Sequence, residues 1–265
     1  MSRTDHRLWA ERRSVTSAER SATVNVVQLH IVGAGRAGRS LAGALVARGW
    51  PKPLLFTRSD GCSRVGVDAD MVVIATPDDV IGQVAAAIPA TAAVVVHLSG
   101  SRGLDELSGH QRVGALHPLV SMPDVETGAQ RLVGAWFATA GDAAVENIVS
   151  ALGGRSFAIA DGDRARYHAA AVIASNHLVA VLGHAQRVAE SVDVPLEAFL
   201  DLAEGSMAAV RSLGAEAALT GPVARGDEAT IQRHLDVLND DELPAYEALA
   251  NEARRLAQRG PTESR

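Results

Sequence analysis

The chain has 265 residues, 47% of them hydrophobic, which excludes a disordered protein and is long for a single core, so two domains are expected. Its 31 acidic against 25 basic residues leave a net charge of −6, without the basic excess that nucleic acid or an anionic membrane would select. A single cysteine, Cys62, permits no internal disulfide and fits a reducing cytoplasm, and no Cys or His pair has the spacing of metal ligands.

Residues 1–23 are polar and Arg-rich, lack the apolar stretch of a secretory signal, and read as a disordered extension. Val26 to Val32 then read as a strand that runs into Gly33-Ala34-Gly35-Arg36-Ala37-Gly38, a G-x-G-x-x-G turn, and on into a helix that closes at Gly49. That order suits a dinucleotide. The first glycine allows the tight turn, the second lets the backbone approach a pyrophosphate, the third lets helix and strand lie close, and the freed amides at the helix start face the phosphates.

A second short strand, Leu54 to Phe56, ends in Thr57-Arg58-Ser59, where an NAD-specific fold would place an acidic residue on the ribose 2′-hydroxyl. A guanidinium between two hydroxyls suits a 2′-phosphate instead, so NADP is expected rather than NAD, with Asp60 the competing candidate for the ribose. The next strand, Asp70 to Ile74, leads through Ala75 and Thr76 to Pro77 at an early helical position, with Asp78 and Asp79 favouring the positive end of the dipole. Its carboxyl end, and Ser99 after the following strand (Ala93 to Leu98), should wall the cofactor site. His117 is expected on a loop reaching the same crevice. Strands around Trp136 to Thr139 and Ser156 to Ala160, with a helix from Asp142 to Leu152 between them, complete a mostly parallel, doubly wound sheet.

Beyond Asp161-Gly162-Asp163 no strand pattern returns and Ala-rich helices follow one another. The fold class is therefore α/β: a Rossmann domain over 24–160, an all-α domain for substrate and dimerisation over 161–258, and a tail over 259–265. A helix from Arg164 to Val192 is apolar nearly all round, which implies burial on most faces and a homodimer sharing helices. On one face of it His168, Val172 and Asn176 stand at i, i+4 and i+8 with Ser175 alongside. A histidine with a pKa near operating pH can protonate a carbonyl oxygen as hydride arrives, and Asn176 and Ser175 can hold a substrate. Tyr167 reads as a packing residue. Arg225, in the turn Thr220-Gly221-Pro222-Val223-Ala224-Arg225-Gly226-Asp227, can take a substrate carboxylate bidentately.

GAGRAG, ADMVVIATPDD, HLSG, ALHPL, RYHAAAVIASNHLVAVL and LTGPVARGDEATIQRH together resemble a bacterial family of Rossmann-like oxidoreductases with a helical C-terminal domain of formerly unknown function. The resemblance spans Val26 to Leu256. More distantly the layout is similar to ketopantoate reductase, the 6-phosphogluconate and β-hydroxyacid dehydrogenases and pyrroline-5-carboxylate reductase. The resemblance implies a lysine where His168 stands and an asparagine at Val172. Lys52, the only lysine of the chain, lies too early to replace it. ALHPL also resembles the His-Pro loop of prephenate dehydrogenases.

Together these readings lead to an NADP-dependent reductase of a small oxo acid, ketopantoate-reductase-like, with His168, Asn176 and His117 at the reacting centre. Two alternatives stand beside it: an imine reductase or prephenate-type dehydrogenase, and a non-catalytic NADP-binding regulatory protein.

Overall fold

A computed structural model describes residues 28–259. The expected N-terminal extension, and Val26 and Val27 of the first strand, lie outside the described residues. The chain divides at His168 and Ala169 into two compact units.

In the first unit seven strands form one sheet in the order β2-β1-β3-β4-β5-β6-β7: β1 (Leu29–Val32), β2 (Leu54–Phe56), β3 (Met71–Ile74), β4 (Val94–His97), β5 (Val113–Pro118), β6 (Trp136–Gly141) and β7 (Arg155–Ala158). Neighbours run parallel except β5 and β6, which are antiparallel. The mostly parallel α/β reading is borne out, with that one reversal. The centre of the sheet is aliphatic because it is covered on both faces. Met71 and Val73 of β3 join the core beneath α1 (Arg36–Ala47), α3 (Val125–Leu132) and α4 (Val145–Ala151). Val72 and Ile74, one residue out of phase, join the core beneath α2 (Ile81–Ala87) and the 3₁₀ turn Leu104–Leu107.

The direction in which successive strands are added reverses at β1, since β2 lies to one side of it and β3, parallel to it, to the other. Open sheets bind ligands at the strand carboxyl ends beside such a switch point. Gly33 and Ala75 directly follow β1 and β3, so the glycine turn occupies that place. Helix α1 is drawn close to α3 by small residues: the Ser40 hydroxyl donates to Val125 O at 3.0 Å, and Gly43 faces the Ala129 methyl.

Three local expectations are corrected. His117 is on strand β5 rather than a loop, because residues 113–118 pair with both β4 and β6. Pro77 precedes a 3₁₀ turn, Asp78–Val80, and is not itself helical: its ψ of 148° is extended, and α2 begins only at Ile81. The single helix Arg164–Val192 is instead α5 (Arg164–Val172), a π-turn (Ile173–His177) and α6 (Leu178–Glu190). Ser175 and Asn176 both lie in the π-turn.

The second unit continues through α7 (Leu196–Leu213), two short helices, α10 (Glu228–Val237) and α11 (Leu243–Arg259); the short ones, α8 and α9, are Ala215–Ala218 and Gly221–Ala224. Asp227 caps α10, accepting from the Thr230 amide at 3.0 Å and its hydroxyl at 2.7 Å. Arg187 donates twice to Glu242, at 2.8 and 3.0 Å. The expected burial of the long helix on most faces does not occur within one chain, where Ile173 is 60% and Val179 69% exposed. One unit of under a hundred residues has too little apolar surface to cover them. Among the described residues no helix is long and apolar enough to cross a membrane.

Candidate functional site

The glycine turn is shaped by two close approaches and one vacancy. Gly33 has φ of 112°, and a Cβ there would lie 2.5 Å from Ala75 O; a Cβ on Gly38 would strike the carbonyl oxygen of Gly33. These two glycines are therefore required by the protein's own packing. Gly35 differs: its φ of −77° is open to any residue and nothing lies within 4 Å of where a Cβ would stand. It is the N-cap of α1, and no side chain caps that helix or brings an acidic group to its first turn. The first amides of α1 are thus left to an acceptor arriving from above Gly35.

The flanking side chains are turned to holding this loop. Arg39 donates from Nε to Ala34 O at 2.7 Å, Arg36 from Nη1 to Pro123 O at 3.1 Å, and Ala37 is half-buried. After β2 the chain makes a 3₁₀ turn, Arg58–Asp60, in which Asp60 accepts from the Thr57 amide at 2.7 Å and the Thr57 hydroxyl at 2.5 Å. These bonds hold the Asp60 carboxyl below its usual range. Asp60, the competing ribose candidate, is thereby engaged as a cap, and Ser59 is bonded to Thr57 at 2.8 Å. Arg58 is exposed and makes no side-chain hydrogen bond among the described residues. Across the switch point the buried Thr76 hydroxyl has no partner, a polar atom awaiting one. Ser99, by contrast, is already engaged: its hydroxyl donates to Asp78 at 2.6 Å and accepts from the amides of Ser101 and Arg102.

A second cluster lies at the ends of β4 and β5 and is built with the start of α5. The imidazole of His117 lies 2.6 Å, Nδ1 to Oη, from Tyr167, and its ring meets His168 edge to face with centroids 5.8 Å apart. Phe157 also meets Tyr167 edge to face, with centroids 5.7 Å apart. Gly100 makes room for the pair, since a Cβ there would come within 2.7 Å of His168 and 2.9 Å of His117. Burial first, then His168 and Arg164, push His117 down to about 4. Burial raises the Tyr167 phenol above its ordinary value.

Arg164 anchors this arrangement. Its side chain is 1% exposed; Nε donates to Asp161 at 3.1 Å and Nη1 to Ser99 O at 3.3 Å, while Nη2 is buried without a partner. Asp161 also accepts from the Leu104 amide at 2.9 Å, so one carboxylate ties the 3₁₀ turn after β4 to the start of α5. A cation in a first helical turn opposes the dipole, and Asp161 offsets it.

His117 and His168 are thus brought together, within the first unit. Asn176, Ser175 and Arg225 belong to the second. There the Ser175 hydroxyl donates to Ala171 O at 2.7 Å and to Asn176 Oδ1 at 3.0 Å, and Arg225 is exposed at the end of the short helix Gly221–Ala224. Tyr167 and Arg164 were missed as site residues. The spacing held a signal, because Arg164, Tyr167 and His168 stand at i, i+3 and i+4 and share one side of a helix. Among the described residues no group of His, Cys, Asp and Glu is placed to hold a metal ion.

Residues 135–253 match a family model described as a domain of unknown function, DUF2520. No curated protein of similar sequence was found. Several solved structures share the fold. A Bacteroides fragilis protein named as a candidate NADP oxidoreductase matches with a TM-score of 0.72 at 19% identity, over 88% of this chain and 100% of its own. A Thermotoga maritima protein matches at 0.68 and 22% identity, over 87% of this chain and 98% of its own. The pyrroline carboxylate reductase of Plasmodium falciparum, solved with NADP bound, matches at 0.59 and 14% identity, over 87% and 98%.

Proposed function

We propose that this chain is an NADPH-dependent oxidoreductase that reduces the carbonyl group of a small oxo acid. The observation that carries the reading is the open space over Gly35, at an uncapped helix start on the topological switch point of the sheet. The protein itself has no use for a glycine there, and a diphosphate does. The names of the fold neighbours point the same way.

The residues present fit the cofactor. Gly33, Ala34, Gly35, Arg36, Ala37 and Gly38 would supply the turn and its amides for the diphosphate, and Thr57, Arg58 and Ser59 would meet the adenosine ribose and its 2′-phosphate. Ala75, Thr76, Pro77 and Ser99 would hold the nicotinamide side of the cofactor. Bound NADPH would supply hydride. The chain's residues supply orientation and a proton: His117 and His168 form the proton-bearing cluster, Asn176 and Ser175 orient the substrate, and Arg225 takes its carboxylate. Residues 24–160 act as the dinucleotide domain and 161–258 as the substrate and dimerisation domain. The exposed apolar side chains Ile173, Val179, Leu202 and Leu213 support a homodimer, which light scattering of the eluted protein checks.

Reduction of a cyclic imine is the second reading. It is favoured by the fold neighbour that reduces pyrroline carboxylate and by the absence of a lysine outside Lys52, since an imine nitrogen can arrive already protonated. The test is to follow NADPH absorbance with a panel of small oxo acids and cyclic imines. Oxidation by an oxo acid supports the first reading and by an imine the second. Tight NADPH binding with no turnover overturns both and leaves a non-catalytic NADP-binding protein.

Cofactor choice is checked separately. Arg58→Ala is expected to weaken NADPH binding roughly 10-fold to 100-fold, the worth of a charge-assisted bond, and NADH binding less than about twofold. Equal losses in a fluorescence titration would contradict the phosphate assignment.

A further inference from the structure

Within the histidine cluster one hydrogen bond has no evident purpose in holding the fold. Tyr167 and His117 lie on different elements, each ring is already fixed by packing, and yet phenol oxygen and imidazole Nδ1 approach to 2.6 Å. Tyr167 is held edge-on by Phe157 at 5.7 Å and His117 at 5.6 Å. His168 makes no hydrogen bond among the described residues. No partner therefore fixes which of its nitrogens bears the proton. His117 does have such a partner.

The charge state of the pair is also settled by its surroundings. The groups acting on His117 are His168 and His97, Arg164 and Asp78, and burial outweighs them all. Both partners are uncharged at neutral pH, His117 because its value is about 4 and Tyr167 because burial holds its proton on. Arg164 keeps the arrangement in place by fixing the carbonyl of Ser99 next to Gly100, the residue whose missing side chain admits both imidazoles.

We propose that Tyr167 is the catalytic proton donor of the reduction and that His117, through its Nδ1, is the residue that positions it; the inference rests on the reductase reading above. The carbonyl carbon gains hydride from the reduced nicotinamide, the reductant already named, and forms a C–H bond while the π pair moves onto oxygen. The O–H bond of Tyr167 breaks and its proton passes to that oxygen, an alkoxide being far more basic than a phenolate. His117, as the Nδ1–H tautomer, donates a hydrogen bond to the phenolate oxygen, which regains a proton from water as the alcohol leaves. For an imine the same proton goes to nitrogen.

The experiment compares wild type with Tyr167→Phe, using NADPH with pyruvate, 2-oxobutanoate and 1-pyrroline-2-carboxylate as probes. Phenylalanine keeps the ring packing, so the fold is retained. The expected result is a loss in kcat of about 100-fold or more in Tyr167→Phe, with KM within about threefold and with NADPH fluorescence titrations unchanged. A Tyr167→Phe enzyme within about threefold of wild type in kcat overturns the proposal and leaves the reductase reading standing. A wild type that oxidises NADPH with none of the probes counts against the reductase reading and against the role of Tyr167 with it. The pairing has a readout free of turnover. In the cofactor-free protein the ¹⁵N resonance of His117 Nδ1 is expected to shift in Tyr167→Phe, and an unmoved resonance overturns the hydrogen bond on which the proposal stands.

Discussion

Replacing Gly35 with aspartate is expected to leave the fold intact and to weaken NADPH binding by at least about 100-fold, close to 3 kcal/mol. The protein has room for the side chain, since nothing stands within 4 Å of a Cβ at this position and its φ of −77° carries no strain. Aspartate is moreover a favoured N-cap, able to accept from the open amides of α1, so the melting temperature should hold or rise. The same carboxylate would occupy the diphosphate's place and repel it. Thermal melting and a fluorescence titration on one protein sample separate the two effects. A melting point that falls by many degrees would show that Gly35 serves the fold, and unchanged NADPH affinity would remove the diphosphate from this turn.

Acid should cost the protein stability well before its carboxylates titrate. His117 has a folded value of about 4 against 6.5 for the free group, so the unfolded chain binds the proton first. The contribution is complete above about pH 6.5 and is lost as pH falls toward 4, on the order of 3 kcal/mol at the lower end. Burial also lowers His97 and His30, which act in the same direction. Urea unfolding at steps between pH 7 and 4.5 should therefore give a falling stability in wild type. His117→Gln should lower that slope by up to one proton, about 1.4 kcal/mol per pH unit. Parallel slopes in the two proteins would mean that His117 is protonated in the folded state and that the neutral pair with Tyr167 is wrong.

Where the sequence was legible, the reason is local. The aliphatic runs of β3 and β4 could only be buried parallel strands, and the spacing of Gly33, Gly35 and Gly38 could be read without knowing what surrounds them. His117 was misplaced because Gly114-Ala115-Leu116-His117-Pro118 is short, contains glycine and ends in proline, all of which favour a loop. Pairing with β4 and the reversed β6 overrides that preference, and proline is tolerated at the end of the strand. The π-turn at Ile173–His177 was invisible because it adds one residue to a turn without altering composition.

The sequence by itself determined the α/β fold class and the glycine turn, because hydrophobic periodicity and glycine's freedom at φ of 112° are properties of neighbouring residues. It also raised Arg58 as a phosphate ligand, from charge and distance along the chain. The tertiary structure alone showed that Asp60 is engaged as a cap, that Gly35 is spared by the protein's own packing, and that Tyr167 meets His117. The last contact joins residues fifty apart on a strand and a helix. Its existence depends on the buried Arg164 drawing the start of α5 against Ser99, an attraction across the fold that no periodicity along the chain records.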